Sequence, residues 1–374
     1  MHDSESWQVV VVGAGMAGAS VAAELAALGA RVLLLEREEQ PGYHTTGRSA
    51  AMFTLSYGPP VIRALSRASG PVIRGDGEGG GALPARGVVF VARDDQIAAL
   101  EALAAELGPA VARLDPAACR AMVPILHAGY AAGGLIDRSA ADIDVDALLR
   151  RYLRLLADHG GKLWRKAEVT AMTRERGGWH VVTSVGVLRA EIVVNAAGAW
   201  ADELARLAGV APVGLVPRRR TALLVDPPAD ARIDGWPMLV DVDEQFYMKP
   251  EAGKLLLSPA DETPSPPCDA RPEEIDIAIA IDRIQRAVAL PVRRVAHEWA
   301  GLRSFVADKC PVVGPAPGAP GFFWLAGQGG YGIQTAPALA RWAAAAALGL
   351  PAPGDIADQG VSASMLAPDR RALA

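Results

Sequence analysis

The sequence predicts an α/β protein in which a parallel sheet, covered by helices, is interlaced with a smaller antiparallel or mixed sheet. Three observations predict it. Near the N-terminus, "WQVVVVGAGMAGASVAAELAALGARVLLLERE" reads as strand, tight turn, helix and strand. Two distant stretches, "IVVNAAGAWADELARLAG" and "GFFWLAGQGGYGIQTAPALARWAAAA", each carry another strand that ends in small residues before a helix. In between lie strand-like pieces at 87–92, 214–225, 238–242, 246–249 and 254–258, suited to the second sheet, with helices near 94–107 and 273–289 behind it.

The first element is a continuous β-branched run at 9–12, as in a strand buried on both faces. Gly13, Gly15 and Gly18 follow as G-x-G-x-x-G. The first permits the turn, the second lets backbone approach a pyrophosphate, and the third lets the helix pack on the strand. The helix start, from Met16 and Ala17, offers unpaired N–H groups to phosphate. The next strand ends in Glu36, where a carboxylate takes the ribose hydroxyls of an adenosine. Arg37 suggests a 2′-phosphate, but Glu36 would repel one. The order strand, glycine turn, helix, strand, acid makes a Rossmann-type dinucleotide-binding unit.

No second G-x-G-x-x-G follows a strand, so the chain lacks the paired sites of a flavin reductase fed by NADPH. "GDGEGGG" at 75–81 has no strand before it and reads as a surface loop. Instead the second strand runs into "PGYHTTGRSAAMFTLSYG", rich in hydroxyls and small residues. One nucleotide site plus this additional cradle points to FAD alone. The glycines before the last helix (Gly327, Gly329, Gly330, Gly332) would aim N–H groups and a positive helix end at the negative side of a reduced flavin.

Bulk composition bounds the function. The 374 residues favour two joined domains over one. The hydrophobic fraction of 51% fits a globular protein with a large core, and the net charge of −5 without a basic block argues against a nucleic-acid partner. Cys119, Cys268 and Cys310 lie far apart, with no CxxC pair; this is neither a disulfide framework nor a metal site, and it suits a reducing cytoplasm. The polar, acidic N-terminus does not read as a signal peptide. The apolar "APALARWAAAAALGL" carries Arg341 and is too short to span a bilayer; peripheral attachment to the inner membrane stays open.

Seven segments together resemble the FAD-dependent D-amino acid oxidase (DAO) family: "VVGAGMAGAS", "LEREEQPGYHTTGRSAA", "DIDVDALLRRYLR", "VNAAGAWADELARLAGV", "WPMLVDVDEQFYMKPEAG", "WAGLRSFVAD" and "FFWLAGQGGYGIQT". The family includes glycine and sarcosine oxidases and amino acid dehydrogenases, and the wording is nearest to its bacterial D-arginine dehydrogenases. The resemblance covers nearly the whole chain, least well between 71 and 112. It implies a glutathione-reductase-like FAD domain at 1–82, 139–211 and 298–374, and a substrate domain at 83–138 and 212–297. The proline-rich "PADETPSPPCDARP" is then a loop within the second domain.

The resemblance also implies site residues. His44, Thr45, Thr46, Gly47, Arg48 and Ser49 would pass the ribityl chain and pyrophosphate, with Ala50 and Ala51 against the flavin ring. The side chains suit this: hydroxyls and amides for phosphate oxygens, Arg48 for charge, small residues beside a flat ring. Val169, Ala197, Gly198, Trp200, Gly301, Gly332 and Ile333 would complete the cofactor site. Family members pass hydride from the α-carbon of an amino acid to flavin N5, so the flavin supplies the reactivity and the protein must hold the carboxylate. Arg303 in "GLRSF" would fork onto it, with Tyr247 donating to the same group. Arg220 is implied near the substrate, although Arg218–Arg220 also reads as a solvated strand end. Tyr57 would sit on a covering loop or, alternatively, serve as a core tyrosine; Gly330, Tyr331 and Gln334 would line the flavin side. No metal is implied.

Two departures bear on the substrate. Gly87, beside Arg86, stands where the D-arginine dehydrogenases carry a glutamate for the cationic side chain, and Met52 replaces a histidine. Without that carboxylate a desolvated cation goes unpaired, at about 3–5 kcal/mol. Oxidative deamination of neutral, apolar D-amino acids is therefore expected over D-arginine. N-methyl or cyclic secondary amino acids remain an alternative substrate class, and a flavin-bearing subunit without turnover an alternative of another kind. The electron acceptor, O2 or a quinone-type carrier, is not legible. Relatives with covalent flavin use a cysteine near 301–304; none is there, so dissociable FAD is expected.

Overall fold

The computed structural model describes residues 5–75 and 85–373. β1 (Glu5–Val12), α1 (Met16–Ala27) and β2 (Val32–Leu35) open a first sheet, followed by β3 (Met52–Phe53) and α2 (Pro60–Arg74). The chain crosses to a second sheet for β4 (Val88–Ala92), α3 (Ile97–Leu107), β5 (Ala112–Leu114), α4 (Pro116–Met122) and β6 (Gly133–Asp137). It returns with β7 (Ala141–Asp142), α5 (Val145–Asp158), β8 (Lys162–Trp164), β9 (Val169–Glu175), β10 (Gly178–Thr183), β11 (Gly186–Asn195) and α6 (Ala201–Leu207). A second excursion gives β12 (Val216–Val225), β13 (Met238–Asp241), β14 (Tyr247–Glu251), β15 (Lys254–Ser258), β16 (Thr263–Pro264), α7 (Glu274–Ala287) and β17 (Val295–Phe305). β18 (Val312–Pro315), β19 (Phe322–Ala326) and α8 (Ala336–Ala347) finish the first sheet.

The first sheet has the order β18-β19-β11-β1-β2-β8, parallel from β19 to β8, with the β9–β10 hairpin running off β11. Alternation along each strand feeds two cores. Val9, Val11, Val32, Leu34 and Val194 pack with α1, α5 and α8 on one face. Val10, Val12, Leu33, Leu35 and Val193 pack with α6 on the other. That double burial is why these strands read as unbroken apolar runs.

The second sheet is mixed: only β4 and β13 pair in parallel, and β17 lies on β12. Val89, Val91, Leu239, Met248 and Leu257 face Ala280, Ile284 and Ala287 of α7. The alternate residues Val88, Phe90, Met238 and Val240 point the other way, into smaller clusters with Met52 and Ala50 from the first domain's loop. One sheet face is thus left to roof a cavity.

The expected domain edge at 298 does not coincide with a change of sheet, because β17 stays paired to β12 as far as Phe305. The glycine-rich stretch expected as a loop at 75–81, after Gly75, and the edge at 82 lie outside the described residues. Among the described residues no helix is long and apolar enough to cross a membrane.

Candidate active site

The βαβ unit builds the first cavity. Gly13, at φ +101°, turns the chain out of β1, and a side chain there would strike the Ala196 carbonyl at 2.6 Å. Thr46 Oγ1 accepts the Met16 N–H at 2.9 Å, bringing the loop after β2 against the start of α1. Glu36, almost fully buried, accepts the N–H groups of Ala14 at 2.8 Å and Glu38 at 2.9 Å, so its carboxylate is fixed at the cavity edge. Arg37 lies 3.8 Å over the Trp200 ring, and His44 joins Arg37 to Glu38.

This cavity, of ≈ 280 Å³, runs from Gly13, Gly15, Met16, Ala17, Glu36 and Arg37 past His44, Thr45, Thr46, Arg48 and Ser49 to Ala50. Val169, Ala197, Gly198, Trp200, Gly301, Gly329, Gly330, Gly332 and Ile333 complete it. Two of its buried polar atoms, Ser304 Oγ and Gln328 Nε2, have no partner. A long cleft with a glycine turn at one end and orphaned polar atoms at the other suits a flavin dinucleotide. No cysteine lines it.

A second cavity, of ≈ 100 Å³, continues from the first and shares Ser49, Ala50, Arg220, Tyr247, Arg303, Gly330 and Ile333 with it. Two arginines meet here, in different states. Arg220 donates from Nε to the Asp261 carbonyl at 2.8 Å and pairs with Glu262 at 3.3 Å. The solvated strand end is thereby ruled out: Arg220 is 7% exposed. Arg303 donates from Nη1 to Tyr57 Oη at 3.2 Å, and no carboxylate among the described residues lies within ion-pair distance of it. Desolvation opposes its charge, but Tyr57, Tyr247 and Glu244 outweigh that, so its pKa is raised and it stays a cation. The resulting field favours an anionic ligand group at Arg303.

Much of the remaining wall is apolar, with Met52, Val88, Phe90, Met238, Val240 and Phe246; Thr54, Gln334 and Glu244 are polar exceptions. Thr54 N–H donates to Gln334 Oε1 at 3.2 Å, which leaves the buried Gln334 Nε2 without a partner. Tyr57 packs edge-on against Tyr331, 4.9 Å between ring centres, over the same space.

Several expected site residues lie elsewhere. Gly87, at φ +79°, lines a different crevice with Arg86, Trp236 and Pro237; the next residue, Val88, is the one that faces the second cavity. The ring of Tyr331 lines neither cavity but packs behind Tyr57 with Ile62 and Phe305, where burial pushes its phenol pKa up. Gly18 and Gly47 serve the turns themselves: a Cβ would meet the Gly13 carbonyl at 1.7 Å and the Gly42 carbonyl at 2.7 Å. Ala51 and Gln334 line the second cavity and not the first. Arg48 lines the nucleotide cavity, but its guanidinium is engaged by Asp269 and by the carbonyls of Ala270 at 2.7 Å and Ala300 at 3.1 Å, so its charge serves the loop and not a phosphate.

Sequence reading missed Val88, Phe90, Met238 and Val240, although their period-two spacing within two recognised strands was a usable signal. It also missed Glu244, an exposed carboxylate on the turn after β13 that reaches the cavity rim, for which the local sequence gives no sign.

A family model of FAD dependent oxidoreductases, DAO, matches residues 8–346. Glycine oxidase of Pseudomonas aeruginosa is 29% identical over 90% of this chain and 93% of its own. The crystal structure of glycine oxidase from Geobacillus kaustophilus superimposes with a TM-score of 0.80 at 23% identity, covering 93% of this chain and 96% of that one. The FAD-bound L-α-glycerophosphate oxidase of Mycoplasma pneumoniae superimposes with a TM-score of 0.83 at 18% identity, covering 93% and 96%.

Proposed function

The chain belongs to the DAO family of FAD dependent oxidoreductases, and on that premise we propose that it oxidises the amine of a small D-amino acid. The product is an imine, which water hydrolyses to the 2-oxo acid and ammonia. The observation that carries this reading is Arg303, a half-buried guanidinium that pairs with no carboxylate among the described residues, at the junction of the nucleotide cavity and a smaller one. A substrate carboxylate supplies the missing anion, with the second bond of the fork adding orientation.

When bound, FAD would supply the two-electron acceptor for the hydride that leaves the substrate's α-carbon. The protein's part is to hold and orient. Arg303 and Tyr247 bind the carboxylate, Tyr57 covers it, and Gly330 keeps the space beside the guanidinium clear: a Cβ there would sit 2.9 Å from Arg303 Nη1. The apolar wall takes the side chain and excludes water. We assign no protein base; the ammonium loses its proton to solvent before the amine is oxidised.

For the side chain, neutral and apolar is the proposed preference. It rests on Val88, Phe90, Met238 and Val240 rather than on Gly87. Glu244 stands exposed at the rim, where solvent screens its pull on a cation. A second reading, oxidation of glycine or an N-methyl amino acid, is favoured by the similarity to glycine oxidase. We place the enzyme in the cytoplasm, in keeping with its three free cysteines. Anaerobic bleaching of the bound flavin with D-, L- and N-methyl amino acids tests the reading. Bleaching by neutral D-amino acids supports it, bleaching by glycine or sarcosine alone supports the second, and none by any amino acid overturns both. Peroxide formed in air, against dye reduction under nitrogen, then tells O2 from a quinone-type carrier.

A further inference from the structure

Asp137 is fully buried at the end of β6, yet among the described residues no arginine, lysine or histidine pairs with it. Its partners are hydroxyls and one amide. Oδ1 accepts from Ser139 N at 2.9 Å and Ser139 Oγ at 2.6 Å. Oδ2 accepts from Thr54 Oγ1 at 2.7 Å and Ser56 Oγ at 2.9 Å. Thr54 and Ser56 belong to the short loop between β3 and α2, which comes from the first domain, whereas Asp137 belongs to the second sheet.

That loop continues through Tyr57, whose ring covers the second cavity and whose hydroxyl accepts the Arg303 hydrogen bond. A buried carboxylate accepting two hydroxyl hydrogen bonds from one loop is a strong and directional anchor. Ser56 N–H also donates to Thr54 Oγ1 at 3.1 Å, so the two hydroxyls and the backbone between them form one unit on the same oxygen. The next residue along is Tyr57, one bond beyond the anchored Ser56.

We propose that Asp137 is a positioning residue for the active-site cover: it latches residues 54–56 to the second sheet and thereby sets where Tyr57 meets Arg303. It touches neither substrate nor cofactor and acts only through the loop. The functional consequence rests on the reading of the site given above, in which Tyr57 and Arg303 hold a carboxylate.

The test uses the FAD-loaded full chain. Asp137→Asn places an amide N–H2 against hydroxyls that donated to oxygen; Ser56→Ala, at a residue that lines neither cavity, removes one of the same bonds from the other side. Hydrogen–deuterium exchange is expected to rise at least tenfold in residues 52–58 in either variant, with exchange in β1 and β11 unchanged. In anaerobic flavin reduction, the dissociation constant of the bleaching amino acid is expected to rise about tenfold with the limiting rate within threefold of wild type. Combined with Tyr57→Phe, Asp137→Asn is expected to add less than twofold, because both act on one contact. Unchanged exchange at 52–58, or a multiplicative double variant, overturns the proposal. If no amino acid bleaches even the wild-type flavin, the functional reading fails, while the exchange arm still decides the latch.

Discussion

Replacing Arg303 in steps is the sharpest test of the site. Arg303→Lys keeps the charge but loses the planar fork, and the ammonium cannot serve both Tyr57 and the two oxygens of a carboxylate. One charged hydrogen bond is worth about 1.5–3 kcal/mol, which at about 1.4 kcal/mol per tenfold is roughly a 10- to 150-fold loss in kcat/KM. Arg303→Ala leaves the substrate carboxylate desolvated without a partner, about 3–5 kcal/mol, or roughly 150- to 5,000-fold. Both losses should fall on substrate binding, because β17 and its pairing to β12 are untouched. Anaerobic stopped-flow reduction with a neutral D-amino acid reads the dissociation constant and the limiting rate separately, and bound FAD is checked from the visible spectrum. If Arg303→Ala retains its flavin and binds the amino acid within threefold of wild type, the carboxylate clamp is wrong.

Three other outcomes are expected. Arg48→Met should lower Tm by the equivalent of about 1–3 kcal/mol, since it unties Asp269 and the Ala270 and Ala300 carbonyls; FAD affinity should change less than tenfold, and a hundredfold loss would restore Arg48 as a phosphate ligand. Val88→Glu should move the ratio of D-Arg to neutral D-amino acid turnover toward the cation by at least tenfold, whereas Gly87→Glu should not; equal effects would refute the assignment of Val88 to the cavity wall. Burial raises the Asp308 carboxyl, but the fork of Arg370 and the Cys310 N–H outweigh it, so its pKa is lowered. A carboxyl depressed on folding adds stability above its ordinary value of about 3.9 and loses it as pH falls through the folded value. The Tm of Asp308→Asn should therefore fall below wild type at neutral pH, with the gap closing in acid below the ordinary carboxylate range; a gap independent of pH would refute the ion pair's contribution.

How much of this was legible follows from how local each signal is. The β1–α1–β2 unit was read in its right order, with the end of β1, the start of α1 and the end of β2 in place, because its glycines, its apolar runs and Glu36 lie on one short stretch with one physical purpose; only the start of β1, at Glu5 and not at 9, lay outside the apolar run. Arg303 and Tyr247 were named as one clamp although 56 residues separate them, and here the resemblance, not the spacing, carried the inference. Gly87 failed by a single position. In a strand, one residue decides which face a side chain takes, and β4 opens at Val88, so the cavity receives 88 and 90 while 87 turns away. Arg48 failed for another reason: its partner, Asp269, is 221 residues distant, and nothing next to Arg48 announces it.

The Arg48 failure shares its cause with the features that no motif foretold. Glu244 reaches the rim from a turn at φ +54°, a conformation its own side chain does not favour. Asp137 reaches the covering loop across the seam between the two sheets. In each case a side chain's task is set by what the other domain brings to it. A bound dinucleotide needs a fixed backbone cradle, which one contiguous segment can encode; on the proposed reading the β4 and β13 wall chooses the substrate side chain and the cover is set at the seam, by pairs such as Thr54 with Asp137 and Tyr57 with Arg303. The substrate should accordingly be easier to change than the flavin, by substitutions on β4 and β13 that leave the glycine turn of β1 alone.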